Sequence, residues 1–199
     1  VVSNGIRLDR YTVPVKPPAV PTVGYLARMS RDKGLELLVD AFIVLAGQRG
    51  DAVTRLRIAG AATAGDQPFI TGLKRRLAAA GLESRVEWSP NLTLDAKLAF
   101  LHSLTLFSVP ATYAEAFGLY VLEAMACGIP VVQPDASSFP EIIGATGGGL
   151  CVVPRDARAL AGAWQRLLVD PVERAALGRA ARSGVERHFS AEKMCEAFC

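Results

Sequence analysis

Apolar residues in this chain follow two alternating rhythms. Short bursts at "TVGYLA" (22–27), "VTRLRIAG" (53–60), "RVEW" (85–88), "LTLFSV" (104–109), "IPVVQP" (129–134) and "GLCVV" (149–153) have the length and composition of strands. Between them lie longer stretches with helical spacing. In "GLELLVDAFIVLAGQ" (34–48), Leu35, Leu38, Phe42 and Leu45 share one face. Further helices are predicted near 68–80, 93–102 and 118–127. From about residue 155 the pattern is helical throughout, in "DARALAGAWQRLLVD", "PVERAALGRAARSGVERH" and "SAEKMCEAF". The first 21 residues carry four prolines and read as an extended lead-in.

Strands that alternate with helices over more than four units predict an α/β fold. We expect a Rossmann-like, doubly wound parallel sheet of about six strands, with helices on both faces and a helical C-terminus. The chain divides into a lead-in (1–21), the sheet domain (22–188) and the start of a last helix (189–199). Such sheets bind ligands at the carboxyl ends of their strands, so functional residues are expected in the loops that leave strands for helices.

Composition narrows the function classes. At 199 residues, 51% hydrophobic and 21% charged, the chain is sized for one folded domain and is not disordered. Of its formal charge of +3, the excess lies early: 14 basic against 9 acidic residues up to 110, then 8 against 10. No run of five basic residues occurs, so nucleic acid is not called for, whereas a small anionic ligand suits the basic half. The basic patch "LKRRLAAAG" (73–81) reads as a solvated helix face. No apolar stretch reaches 18 residues, and "VVSNGIRLDRY" lacks the form of a signal peptide, so a cytoplasmic protein is expected. Cys127, Cys151, Cys195 and Cys199 form no C-x-x-C pair, which fits a reducing compartment. Cys127 and Cys151 read as small buried hydrophobes. His102 and His188 lack acidic or cysteine neighbours and are expected to be structural, so no metal site is predicted.

The stretch "EAFGLYVLEAMACGIPVV" (115–132) sets a carboxylate inside the most apolar helix. Starting at Gly118, one face carries Leu119, Leu122, Glu123 and Ala126. An unpaired buried carboxylate costs several kcal/mol, of order, so Glu123 needs partners. They are either protein groups, as in an internal salt bridge or a glutamate reaching water at the helix edge, or a ligand. A helix start favours an anion such as phosphate, and Glu123 lies roughly 7–8 Å further along the axis. That is about the reach from a diphosphate to its ribose, whose two hydroxyls a carboxylate can accept. At the same sheet edge, "ARMSRDKG" (27–34) brings Arg28 and Lys33 into a turn entering a helix. Each alone is an ordinary loop cation; together they could hold one diphosphate.

The ordered set "ARMSRDKG", "LRIAG", "EAFGLYVLEAMACGIPVV" and "SSFPEIIG" resembles the retaining glycosyltransferases of family 4, and within them the C-terminal, donor-binding half of the GT-B fold. The resemblance runs from "NGIRLDRY" (4–11) to "HFSAEKM" (188–194), and its most specific element is the Glu-x7-Glu pair. It implies that Arg28 and Lys33 hold the phosphates of a nucleotide-diphosphate sugar and that Glu123 binds the ribose. It further implies that Glu115 faces and orients the donor sugar as the catalytic-site carboxylate, and that the backbone amides of Phe117, Gly118 and Leu119 close around phosphate and sugar. The resemblance also places the base near "SPNL" (89–92) and makes "PEII" (140–143) the match to the family's loop near the donor, able to approach the sugar through Glu141. Three departures stand out: Ala27 where the family commonly has Gly, Ser-Pro-Asn instead of glycine at 89–91, and one extra residue in "PATYAE".

In that chemistry the leaving group is a nucleoside diphosphate, and cations with a helix N-terminus stabilise its growing charge. With no D-x-D cluster, a metal-independent reaction without a cofactor is expected, with retention of configuration implied by the resemblance. A GT-B enzyme needs a second domain. The expected partners are therefore a nucleotide-sugar donor and a missing N-terminal acceptor-binding domain, with any peripheral membrane contact made through that missing half and little activity from this half alone. Alternatives are another GT-B enzyme, such as a phosphorylase or epimerase, or a non-catalytic nucleotide-binding module. No P-loop motif occurs, and "GATGGG" (144–149) reads as a turn.

Overall fold

A computed structural model describes residues 4–49 and 53–196. Residues 1–3 of the lead-in and the last three residues, Cys199 among them, lie outside the described residues. Six parallel strands form one sheet in the order β3-β2-β1-β4-β5-β6. They are β1 (Thr22–Leu26), β2 (Arg55–Gly60), β3 (Val86–Pro90), β4 (Leu106–Phe107), β5 (Val131–Pro134) and β6 (Gly149–Val152). Every residue of β1, β4 and β5 is buried, as expected of inner strands covered on both faces.

The helices alternate with these strands: α1 (Leu35–Arg49), α2 (Gln67–Ala79), α3 (Leu94–His102), α4 (Leu119–Ala126) and α5 (Phe139–Thr146). The helical ending supplies α6 (Ala157–Val169), α7 (Pro171–His188) and α8 (Ala191–Glu196). Helix α6 packs on α1, β5 and β6, and α7 packs on α4 and α5, so the ending covers the sheet. Trp164 of α6 is fully buried, and its indole N–H donates to Ser108 Oγ at 2.8 Å; that hydroxyl donates to the Val132 carbonyl at 2.7 Å. The lead-in contains a single 3-10 turn (Leu8–Arg10) and pairs with the far end of the chain. Ile6 N–H donates to the Phe189 carbonyl at 2.9 Å, and Ala191 N–H donates to the Ile6 carbonyl at 3.0 Å.

Four sequence expectations need correction. Strand β4 is two residues long, because Pro130 beside it has no N–H and the Val109 N–H turns to the Gln133 side chain at 3.1 Å. Leu119 is not on the buried face of α4. It is 46% exposed, since it opens the helix at the rim of the sheet, above the layer where Val121, Leu122, Ala124, Met125 and Ala126 are buried. "PEII" is not loop but the first turns of α5, with Pro140 where a missing N–H costs nothing and Gly147 closing the helix at φ 65°. Ser89 and Pro90 belong to β3, so the turn proper begins at Asn91. The patch 73–81 does behave as a solvated face: Leu73 and Leu77 are buried while Lys74, Arg75 and Arg76 are exposed, and Arg76 pairs with Glu36 and Asp40 on α1.

Strands β1 and β4 are neighbours, yet the chain leaves β1 toward β2 and β4 toward β5. Their carboxyl ends therefore open a crevice at the point where the winding reverses. The two loops that flank it are tied together. Thr112 N–H donates to the Asp32 carbonyl at 2.9 Å, and Gly34, at φ 72°, lies so close to Pro110 that an added Cβ would stand 1.8 Å from its carbonyl oxygen.

Gly81 has a similar φ of 70° but open space around it. Replacing Gly81 by Ala is expected to cost about 1 kcal/mol for the left-handed backbone, and Gly34→Ala about 3 kcal/mol because a backbone oxygen must also move. Urea unfolding midpoints of the two variants measure the difference, and equal losses would remove the close approach at Gly34 as a constraint.

Candidate functional site

The loop after β1 (27–34) begins against β2, where Ala27 N–H donates to the Ala59 carbonyl at 3.2 Å. The buried Tyr25 hydroxyl donates to the Arg28 carbonyl at 2.6 Å and fixes the turn that carries Arg28. Ala27 has no positive φ, so the departure from glycine is tolerated there. The Arg28 side chain is 60% exposed and lies 3.7 Å from the largely covered Asp66 carboxylate, a long contact that leaves most of the guanidinium available.

Lys33 and Glu115 come together across the crevice. Lys33 Nζ donates to Glu115 Oε2 at 2.5 Å, with the side chains 18% and 10% exposed. Two phenols converge on the same oxygen: Tyr113 at 2.8 Å and Tyr120 at 2.7 Å, while Lys33 also donates to the Tyr113 hydroxyl. The ammonium lies 4.7 Å from the ring centre of Tyr113 and 5.4 Å from that of Tyr120. Burial pushes the Glu115 carboxyl up, but the hydrogen bonds from Lys33, Tyr120 and Tyr113 outweigh it, and the group ionises below the ordinary range. Burial pushes Lys33 down, and its bonds to Glu115 and Tyr113 more than restore it. Tyr120 is driven far up by burial and then by Glu115, so its hydroxyl stays a donor. A charged pair with neutral phenols therefore holds at neutral pH, and Glu115 Oε1 has no hydrogen-bond partner among the described residues.

Between Glu115 and α4 the backbone is shaped by the next loop. Ser137 Oγ accepts from Glu115 N–H at 3.1 Å, and Ser138 Oγ donates to the Phe117 carbonyl at 2.8 Å. Phe117 sets its ring edge-on to Phe189, 6.1 Å between centres. Gly118 turns the chain into α4 at φ 81°, and an added Cβ there would meet Phe139 at 3.0 Å and Glu115 Cγ at 3.6 Å. The N–H groups of Phe117, Gly118 and Leu119 make no hydrogen bond among the described residues. Carbonyls held back by serine and free N–H groups at a helix start are what an anion requires.

Glu123, on α4, and Glu115, before it, share no hydrogen-bond partner among the described residues. Glu123 Oε1 accepts from Lys97 Nζ of α3 at 2.5 Å and from the Tyr11 hydroxyl of the lead-in at 2.9 Å; the side chain is 16% exposed. The protein partners allowed for from the helix pattern are thus present. Oε2 carries none among the described residues. At the end of β3, Asn91 adopts φ 56°, the left-handed conformation asparagine tolerates best after glycine. Its side chain grips Ala62 twice, accepting from the N–H and donating to the carbonyl, each at 3.1 Å. Glu141 is exposed on the first turn of α5.

Sequence reasoning singled out neither Tyr113 and Tyr120, which supply two of the three bonds to Glu115, nor Tyr11 and Lys97, which hold Glu123. Tyr113 and Tyr120 stand two residues before and five after Glu115, a spacing that carries a signal only once the turn at Gly118 is known. Tyr11 and Lys97 come from distant segments, and no local pattern marks them.

A family model described as glycosyl transferases group 1 matches residues 13–184. The lipopolysaccharide core biosynthesis mannosyltransferase LpsB of Rhizobium meliloti is 34% identical, over 99% of this chain and 58% of its own. The HepE protein of Anabaena, solved in complex with UDP and glucose, shares the fold at a TM-score of 0.85 and 23% identity, over 100% of this chain and 55% of that one. A C-terminal domain of the group 1 protein LpcC from Francisella tularensis is matched along 100% of its length and 94% of this chain, at a TM-score of 0.82 and 22% identity. This chain spans about half the length of the curated relatives it matches. Its Rossmann-like sheet has the fold found in GT-B glycosyltransferases, and by family match and sequence identity the chain belongs to the group 1 glycosyl transferases.

Proposed function

We propose that this chain is the donor-binding half of a retaining glycosyltransferase that acts on a nucleotide-diphosphate sugar. The observation that carries this reading is the Lys33–Glu115 pair beside the free N–H groups of residues 117–119, in the crevice between β1 and β4. A diphosphate in that crevice meets the helix start, Lys33 and the available Arg28. Negative charge that develops on a departing nucleoside diphosphate is stabilised by these fixed donors without reorganisation. They also supply the positive charge that a divalent metal would otherwise bring. Glu115, with Oε1 open, accepts hydroxyls of the donor sugar. Glu123, with Oε2 open, accepts those of the ribose. The turn at Asn91 borders the base. The complex of the HepE protein with UDP and glucose supports a nucleotide sugar as the ligand class.

Acceptor binding falls to a second, N-terminal domain in this reading, and the isolated chain binds the donor with little or no transfer. That assignment is supported by the half-length match to curated relatives. Retention of configuration is carried over from the family resemblance, and in this reading Glu115, whose Oε2 accepts three hydrogen bonds, orients the sugar.

Titration calorimetry with UDP, GDP and ADP tests the reading. One nucleotide is expected to bind saturably, with Lys33→Ala and Glu123→Ala each weakening it about 10- to 100-fold, the range for a charged hydrogen bond. Binding that is indifferent to both substitutions would place the nucleotide elsewhere.

The ionisation of Glu115 gives a second test. Its folded pKa is depressed, so its contribution to stability is present above the unfolded value of 4.5 and is lost as pH falls through the folded value. The stability gap between wild type and Glu115→Gln, measured in urea, is expected to be open at neutral pH and to narrow as pH falls below 4.5. A gap that is constant with pH would mean that the carboxylate is not held by its donors.

A further inference from the structure

Glu123 is gripped by two groups that no part of the nucleotide reading calls for. We propose that Tyr11 and Lys97 are positioning residues which, by occupying Oε1 of Glu123, hold its Oε2 ready for the ribose diol of a nucleoside diphosphate. The inference rests on the reading of Glu123 as a ribose-binding carboxylate and goes beyond it by naming what aims that carboxylate.

The geometry supports a division of labour within one carboxylate. Both protein donors, Lys97 Nζ at 2.5 Å and the Tyr11 hydroxyl at 2.9 Å, use Oε1. Oε2 has no partner among the described residues, and one carboxylate oxygen has lone pairs for two hydroxyls. A free glutamate has three side-chain torsions to order when a ligand arrives, and here they are fixed in advance. Lys97 also places an opposite charge against a carboxylate whose side chain is only 16% exposed. The Tyr11 phenol is pushed up by burial and then by Glu123, so it remains a donor through the usable pH range.

Tyr11 is itself anchored. Its backbone carbonyl accepts from Arg182 Nη1 at 2.5 Å, and the same nitrogen donates to the Ala126 carbonyl at 2.6 Å at the end of α4. Helix α7 thus pins the lead-in to the helix that carries Glu123. A displacement of the lead-in at Tyr11 is transmitted to the carboxylate, and the ribose contact reports on the position of the lead-in.

The test is the ratio of dissociation constants between each 2′,3′-dideoxynucleoside diphosphate and its ribose parent, measured by calorimetry with the UDP, GDP and ADP pairs. In the wild type this ratio is expected to be at least about tenfold for the nucleotide that binds, and to collapse to about one in Glu123→Ala. Tyr11→Phe, which keeps the ring, and Lys97→Met are each expected to lower the ratio by at least about threefold. Circular dichroism and urea midpoints establish that each variant is folded, and Lys97→Met carries the test should Tyr11→Phe not fold. If both variants weaken ribose and dideoxy forms equally, the ratio is unchanged and the two residues merely hold the fold, which overturns the inference alone. A wild-type ratio near one, a ratio insensitive to Glu123→Ala, or no binding at millimolar nucleotide overturns the ribose role of Glu123 and this inference with it.

Discussion

Two chain segments that leave neighbouring parallel strands in opposite directions cannot cover the space between them. Parallel strands need crossover connections, and in the order β3-β2-β1-β4-β5-β6 the connections from β1 and β4 diverge. The gap this leaves is not a packing fault, because the loops around it are locked by backbone contacts. Thr112 bonds the carbonyl of Asp32, and Gly34 lies against Pro110 at a distance no side chain permits. Loops held by backbone keep their side chains at fixed separations, and the Lys33–Glu115 contact depends on that.

The two carboxylates near α4 solve one electrostatic problem twice. Each is mostly buried, each receives one lysine and at least one tyrosine hydroxyl, and in each all protein donors converge on a single oxygen. A lysine supplies the charge that burial demands. A tyrosine supplies a donor whose own ionisation is suppressed by the same burial. The remaining oxygen keeps its acceptor capacity. Such a carboxylate is polar toward a ligand and nearly neutral, with its lysine, toward the core.

Most of the fold was legible because it is local. Periodicity located all six strands and most helices, since apolar spacing reports directly which face is buried. It failed where burial depends on depth instead of direction. Leu119 has the right phase for the core but sits at the rim of the sheet. Helix α5 was hidden by its Ser-Ser-Phe-Pro opening, which reads as a loop until proline is recognised as a first-turn residue. The site was legible in its charges but not in its hydroxyls. Arg28, Lys33, Glu115 and Glu123 stand in motifs with regular spacing. Tyr11 and Lys97 reach Glu123 from segments 112 and 26 residues away, a proximity that exists only after folding.

The pairing of Ile6 with Phe189 and Ala191 has a mechanical consequence. The lead-in runs parallel there to the link between α7 and α8, and the two are joined by two backbone hydrogen bonds. Tension applied to the two segments in opposite directions along the chain loads those bonds in shear and together, the arrangement in which they must break at once and not one by one. The sheet behind them bears no load until they part. The described chain is, in topological terms, nearly a closed ring. Joining its ends and opening it at another surface turn preserves the strand order, the crevice and both carboxylate clusters, so the order in which the segments are connected is separable from the site they build.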